Sequence, residues 1–368
     1  FLSGAKNYGG VCEDAYYSKI NSECVLGGLI KKGSSWEVAQ LPSTCRPEKA
    51  LIFNVNNHQC TMRLNIYTDG KITASTGGCH AWVSLSGVSF IPKDSKSSSR
   101  ALASSLKSSW VPYGGGTYWE APSYTLVDGE CLLQGLIQKG SWGHIATLPA
   151  ECRPYKRLIF NLNNHQYTSR VDVLPDGRVY WVAGGKSHGW LSLTGIRFEF
   201  ETNWKFGESF NSVGNPKFLG TQNGWNAYGG SYGRPSFSVS DSICILNGLI
   251  KGSKWGHLAT LPSECRPRER IIFNVNNHQY TTRVDVLPDG GVYWVAGGKS
   301  HSWLSLTGIK FVKNNGPKTQ VSFLSGAKNY GGVCEDAYYS KINSECVLGG
   351  LIKKGSSWEV AQLPSTCR

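Results

Sequence analysis

Twelve cysteines and eight histidines are the side chains of this 368-residue chain best suited to chemistry. Eight of the cysteines fall into pairs 21 positions apart: Cys24 and Cys45, Cys131 and Cys152, Cys244 and Cys265, Cys346 and Cys367. A thiol pair can close a disulfide or hold a soft metal. This spacing lacks the close C-x-x-C couples of structural zinc sites, so one disulfide per pair is expected, with no metal and no other cofactor. Closing a loop of that size contributes roughly 3 kcal/mol by restricting the unfolded chain. It also implies an oxidising, extracellular setting. Cys60 and Cys79 flank a predicted hairpin and are expected to pair with each other. Cys12 and its copy Cys334 are left over. A leftover cysteine in a secreted chain points to an intermolecular bond or a free thiol, and we expect a cross-link between strands of an assembly.

The histidines occur in three settings. They close an Asn-Asn-His triplet (His58, His165, His278), follow a glycine (His144, His257), or stand two residues before a tryptophan (His80, His188, His301). All recur at equivalent places, so they belong to a shared plan and not to one active centre. Two roles suit them. The favoured one is closing loops by hydrogen bonds to backbone. The other is sugar or metal binding, with sugar the ligand assigned, by Asn56, Asn57 and His58, by Asn163, Asn164 and His165, and by Asn276, Asn277 and His278. The aspartates stand at turns (Asp69, Asp176, Asp289) or at strand positions expected to face solvent (Asp172, Asp285). There is no G-x-S-x-G, no H-E-x-x-H and no phosphate-cradling loop. No catalytic residue is assigned and no enzymatic activity is expected. There is no Asn-x-Ser/Thr sequon, and the Ser-rich 94–109 stretch is a candidate for O-linked sugars.

The elements that must position these residues come as repeats. From Cys131 to Phe198 and from Cys244 to Phe311, 52 of 68 positions are identical. Cys24 to Phe90 is a diverged, collinear third copy. A Tyr-Gly-Gly signature opens each module, at Tyr8, Tyr113 and Tyr228. The expected units are module 1 over 1–90, module 2 over 113–198 and module 3 over 228–311. A fourth module begins at 330–368, within a segment 323–368 that repeats 1–46 letter for letter. Three modules therefore make one super-repeat of 322 residues, and the array is expected to continue past both ends of this stretch. Any signal peptide is expected to lie outside it. Between the modules lie a Ser-rich basic linker (91–112), an aromatic and Gly-rich one (199–227) and a short polar one (312–329). Spacers of this kind are usually flexible. Trp204, Phe206, Phe210 and Phe218 favour an ordered strap for the second.

Charged residues make up only 17% of the chain, against 44 glycines and 12% aromatics, a profile for short strands and tight turns. Arg170 to Leu174 alternates, with Val171 and Val173 on one face, and Pro175-Asp176-Gly177 closes a hairpin. The expected fold class is all-β: tandem jelly-roll-like β-sandwich modules of about 85 residues, each with one disulfide. No run of about 18 apolar residues exists, so no membrane span is expected. The net charge of +13 serves solubility or attracts an acidic polysaccharide. Nucleic acid is not an expected partner, because the basic residues are scattered without a reading motif.

The order C-x-L-x-G-L-I, W-G-H-x-A-T-L-P, C-R-P, R-V-D-V-L-P-D-G, W-L-S-L-T-G-I resembles the C-terminal head modules of phage tail fibres and collagen-like adhesins. The resemblance covers about 80 residues of each module. It implies a β-sandwich head that binds a receptor or sugar, typically as a homotrimer. Cys45, Cys152 and Cys265 before the Arg-Pro, and the tandem arrangement, depart from that pattern. Both departures fit a secreted matrix or filament protein better. If the ancestral module trimerises, three modules on one chain would form a pseudo-threefold ring, one layer of a stacked filament. The expected function is a structural repeat protein of an extracellular filament, appendage or matrix, its main partner being itself. The alternative is a multivalent lectin-like adhesin for acidic glycans, in which tandem weak sites raise avidity.

Overall fold

A computed structural model describes residues 1–200 and 216–314, apart from Asn21, Lys96, Thr117, Asp128, Ser240 and Asp241, and beyond 314 only the backbone of short strand segments. The chain is all-β, with several small antiparallel sheets, no α-helix among the described residues and disulfide-bonded cysteine pairs.

Module 2 shows the common plan. One sheet runs Ser99–Ala101, Ser123–Val127, Glu130–Gln134, Arg197–Glu199, and a second runs Val111–Pro112, Leu136–Gln138, Trp190–Ser192. They join where Gly135, at φ +104°, bends the chain between Glu130–Gln134 and Leu136–Gln138. A third sheet runs His144–Thr147, Arg178–Gly184, Tyr167–Val173, Leu158–Asn164. The module's core draws on all three, with Leu133, Ile137, Phe160, Val171, Val173 and Phe198 buried. Cys131–Cys152 ties the first sheet to the 3-10 turn Ala150–Cys152 that leads toward the third. Modules 1 and 3 repeat this with Cys24–Cys45 and Cys244–Cys265, and Cys60–Cys79 adds a second bridge in module 1. Cys334 and Cys367, and the side chain of Cys346, lie outside the described residues.

The stretches read as linkers depart from a flexible spacer. Ser99–Ala101 pairs with Ser123–Val127, and Leu102 and Trp110 are buried in the core of module 2. Lys217–Phe218 pairs with Ser236–Val239, and Leu219 and Trp225 enter the core of module 3. The reason is local. Trp110 donates its indole N–H to the carbonyl of Ser141 at 3.0 Å, Trp225 does so to Lys254 at 2.8 Å, and each ring lies over a glycine. A Cβ at Gly140 or Gly252 would stand 2.0 or 2.6 Å from those rings. Of the expected aromatic strap, Trp204, Phe206 and Phe210 lie outside the described residues. Phe218 is exposed beneath Arg234. In the fourth module, Tyr338–Ile342 pairs with Glu345–Gly349 in the register that Tyr16–Ile20 keeps with Glu23–Gly27.

The three modules pack around one axis. The strands Leu51–Asn57, Leu158–Asn164 and Ile271–Asn277 each contact the other two. The hydrogen bonds between them run in a cycle. Ser84 donates to the Ile272 carbonyl, Ser192 to that of Ile52, and Ser305 to that of Ile159. Cys12, Trp119 and Tyr232 bridge, in parallel, to Arg270, Ala50 and Arg157 of the neighbouring module. This is a pseudo-threefold ring formed within one chain.

Candidate functional site

The Asn-Asn-His triplets stand where each inner strand turns. Asn57, Asn164 and Asn277 are fully buried. Asn57 Nδ2 donates to the carbonyls of His80 and Trp82, and its Oδ1 accepts from the backbone N–H groups of Cys79 and His80 at 2.6 and 2.7 Å. Asn164 and Asn277 donate to His188 and His301 in the same way, at 3.1 and 3.0 Å. Asn56, Asn163 and Asn276 donate to the carbonyls of His58, His165 and His278 at 3.0, 2.8 and 2.7 Å. They hold those histidines at φ near +65°, the left-handed region that is uncommon outside glycine and in which Asn, Asp and His are enriched. The six asparagines therefore satisfy backbone groups inside the protein and offer no amide to a glycan. The alternative reading of the triplets as sugar-binding sites loses its amides, because the backbone at a tight turn needs partners and these amides supply them.

Each histidine meets its Trp-preceding partner at the rim of a seam. Ring centroids lie 4.7 Å apart for His58 and His80, 4.3 Å for His165 and His188, and 4.5 Å for His278 and His301. The neighbouring module lays an arginine over the adjacent tryptophan: Arg283 over Trp82, Arg63 over Trp190, Arg170 over Trp303, at 5.6, 5.3 and 5.0 Å. Arg283 and Arg170 also donate to Nδ1 of His58 and His278 at 3.2 and 3.1 Å. Burial first, then the arginine and the second histidine, pushes His58 and His278 below the usual imidazole range. For His165 the order is burial, His188, then Arg63. A neutral ring can accept such a hydrogen bond; a protonated one cannot.

Asp172 and Asp285 do not face solvent as expected; both are 0% exposed. The outer face of their strand is the inner face of the ring. Arg170 grips Asp172 with two bonds of 2.7 Å, and Arg283 grips Asp285 likewise. Arg157 adds a 2.6 Å contact to Asp172. Module 1 has Asn65 and Ala50 at these places, and Arg63 donates to Asn65 Oδ1 at 2.7 Å while lying between Trp119 and Trp190.

A second set of side chains near the axis lies by the other sheets. Glu23, Glu130, Arg197 and Lys310 form a buried, mutually paired cluster, with Lys310 Nζ 3.0 Å from Glu23 and 3.3 Å from Glu130. Burial opposes the charge on Glu130, but Arg197 and Lys310 outweigh it and hold the carboxyl down at about 2. Glu199, a neighbour across a seam to Ser238, is pushed up to about 7 by burial. Sequence reasoning did not find these groups. The signal was present as Glu23, Glu130 and Ile243, and as Ser89, Arg197 and Lys310, at equivalent places in the repeats.

Cys12 is, among the described residues, the cysteine outside a disulfide. It packs half-buried against Leu29, Trp82 and Ile272, where Trp119 and Tyr232 stand in the other modules, and burial raises its thiol above the ordinary value. No protein-family model, curated protein or solved structure matches this chain.

Proposed function

We propose that the chain is a structural repeat protein of an extracellular filament, appendage or matrix, non-catalytic and assembled chiefly from itself. Its unit is the three-module ring. One observation carries this reading: the residues repeated in all three modules make the ring. The serine-to-carbonyl bonds run from module to module, and the Asn-Asn-His triplets shape the turns at the seams. A surface kept for a ligand would leave its repeated polar groups open. The 322-residue period supports an array of such rings, since a copied unit carries copied contacts. Four disulfides in the described residues fit maturation in an oxidising compartment outside the cytoplasm. In this assembly Cys12 and Cys334 supply cross-links between chains.

Electron microscopy of the native full-length material tests the proposal. Regular filaments with an axial repeat that accommodates one ring are expected, with oligomers on non-reducing gels that Cys12→Ser removes. Dispersed beads that bind acidic glycans on an array would overturn it in favour of the multivalent adhesin.

A further inference from the structure

Modules 2 and 3 are so alike that an apolar seam would accept either in the other's place. The buried cluster near the axis does not treat them alike. Module 1 brings Glu23 and Ser89 to it, module 2 brings Glu130 and Arg197, and module 3 brings Ile243 and Lys310. Module 1 therefore contributes one formal negative charge, module 2 is balanced, and module 3 contributes one positive charge. Ser89 is a neutral acceptor for Arg197 at 3.2 Å, and Ile243 packs with Ile20, Val25 and Ile245. A small cavity lined by Glu130, Arg197 and Lys310 together with Gly87, Gly195 and Gly308 adjoins this layer. A buried charge left without a partner there has neither bulk water nor an opposite charge to stabilise it.

We infer that these residues are a charge code for module choice, admitting a ring only when it holds as many copies of module 1 as of module 3. Any three consecutive modules of the array satisfy the rule, because Glu345 repeats Glu23 at the head of the next unit. A ring with two copies of module 3 and one of module 2, or two of module 1 and one of module 2, buries unpaired charge. Three copies of module 2 would balance, but the order of modules does not present them in succession. The code excludes rings of mismatched modules, within one chain or between two, and covalent order, by holding the three modules of one chain close together, disfavours like-for-like exchange with a second copy.

The deciding variant relocates one charge: Glu23→Ile combined with Ile243→Glu. It keeps two carboxylates and two cations in the cluster, so the ring is expected to fold, but it makes every module neutral. Two batches of the full chain, labelled with donor and acceptor dyes, are unfolded with disulfides intact, mixed and refolded together at high concentration. The parent chain is expected to return as monomeric rings with little energy transfer between chains. The relocated variant is expected to show several-fold more transfer, in species of higher mass by light scattering. Transfer no greater than that of the parent would overturn the code. If the relocated chain does not fold, Glu23→Gln, Lys310→Met and their double variant give the answer from melting temperature. A double variant more stable than either single one supports charge balance; additive losses overturn it.

Discussion

Ser84 of the first module donates its hydroxyl to the carbonyl of Ile272 in the third, 188 residues further along the chain, at 2.7 Å. The same hydroxyl accepts the N–H of Ser86 at 3.2 Å. One small side chain thus shapes a turn in its own module and closes a seam to the next. Ser192 and Ser305 repeat the arrangement at the other two seams.

Removing one of these hydroxyls leaves a buried carbonyl and a buried N–H short of a partner. Ser84→Ala, Ser192→Ala and Ser305→Ala are each expected to lower stability by about 1–3 kcal/mol. Chemical denaturation of the three single variants should give losses within a factor of two of one another. A loss at one seam alone would contradict the pseudo-threefold packing.

The arginines of the seams should differ in a predictable way. Arg170→Met strips Asp172 of its bidentate partner at a position closed to water, and a loss of about 3 kcal/mol is expected. Arg63→Met removes a cation that faces Asn65 and two tryptophans, not a carboxylate, and should lose only about 1 kcal/mol. Paired melting curves at neutral pH decide the order.

Glu199 makes stability depend on pH. Its folded value of about 7 lies above the ordinary 4.5, so the unfolded chain ionises first. Between those values the folded state binds more protons, and stability falls as pH rises through this window and then levels. Glu199→Gln should remove that fall and add about 1–3 kcal/mol at pH 8, while leaving stability at pH 4 nearly unchanged. The opposite end of the scale belongs to Glu130. Its depressed value of about 2 means that its stabilising charge, complete above 4.5, is lost as pH drops toward 2.

The disulfides should open in sequence. Both sulfur-bearing residues of Cys131–Cys152 are fully buried, whereas Cys79 is exposed at the rim of module 1. Mild reductant followed by alkylation and mass mapping should label Cys60 and Cys79 first. Replacing Cys131 and Cys152 by serine should cost about 3 kcal/mol.

The sequence alone pointed to the all-β class and to the expected Cys24–Cys45, Cys60–Cys79, Cys131–Cys152 and Cys244–Cys265 pairs. Those features are local: a spacing of 21, a Pro-Asp-Gly turn and a two-residue alternation are written within one module. Alternation also put Val171 and Val173 on one face and Arg170 and Asp172 on the other. It could not tell whether that other face meets water or a neighbouring module, because period two reports orientation and not environment. Only the tertiary structure decided that Asp172 and Asp285 are buried beside arginines, that Asn57 faces backbone instead of ligand, and that Trp110 belongs to a core. The physical reason is the ring itself. It turns an outward, polar face into an inner one, and a polar group taken out of water must find its partner wherever the fold brings one, here as far as 287 residues away in Lys310 and Glu23.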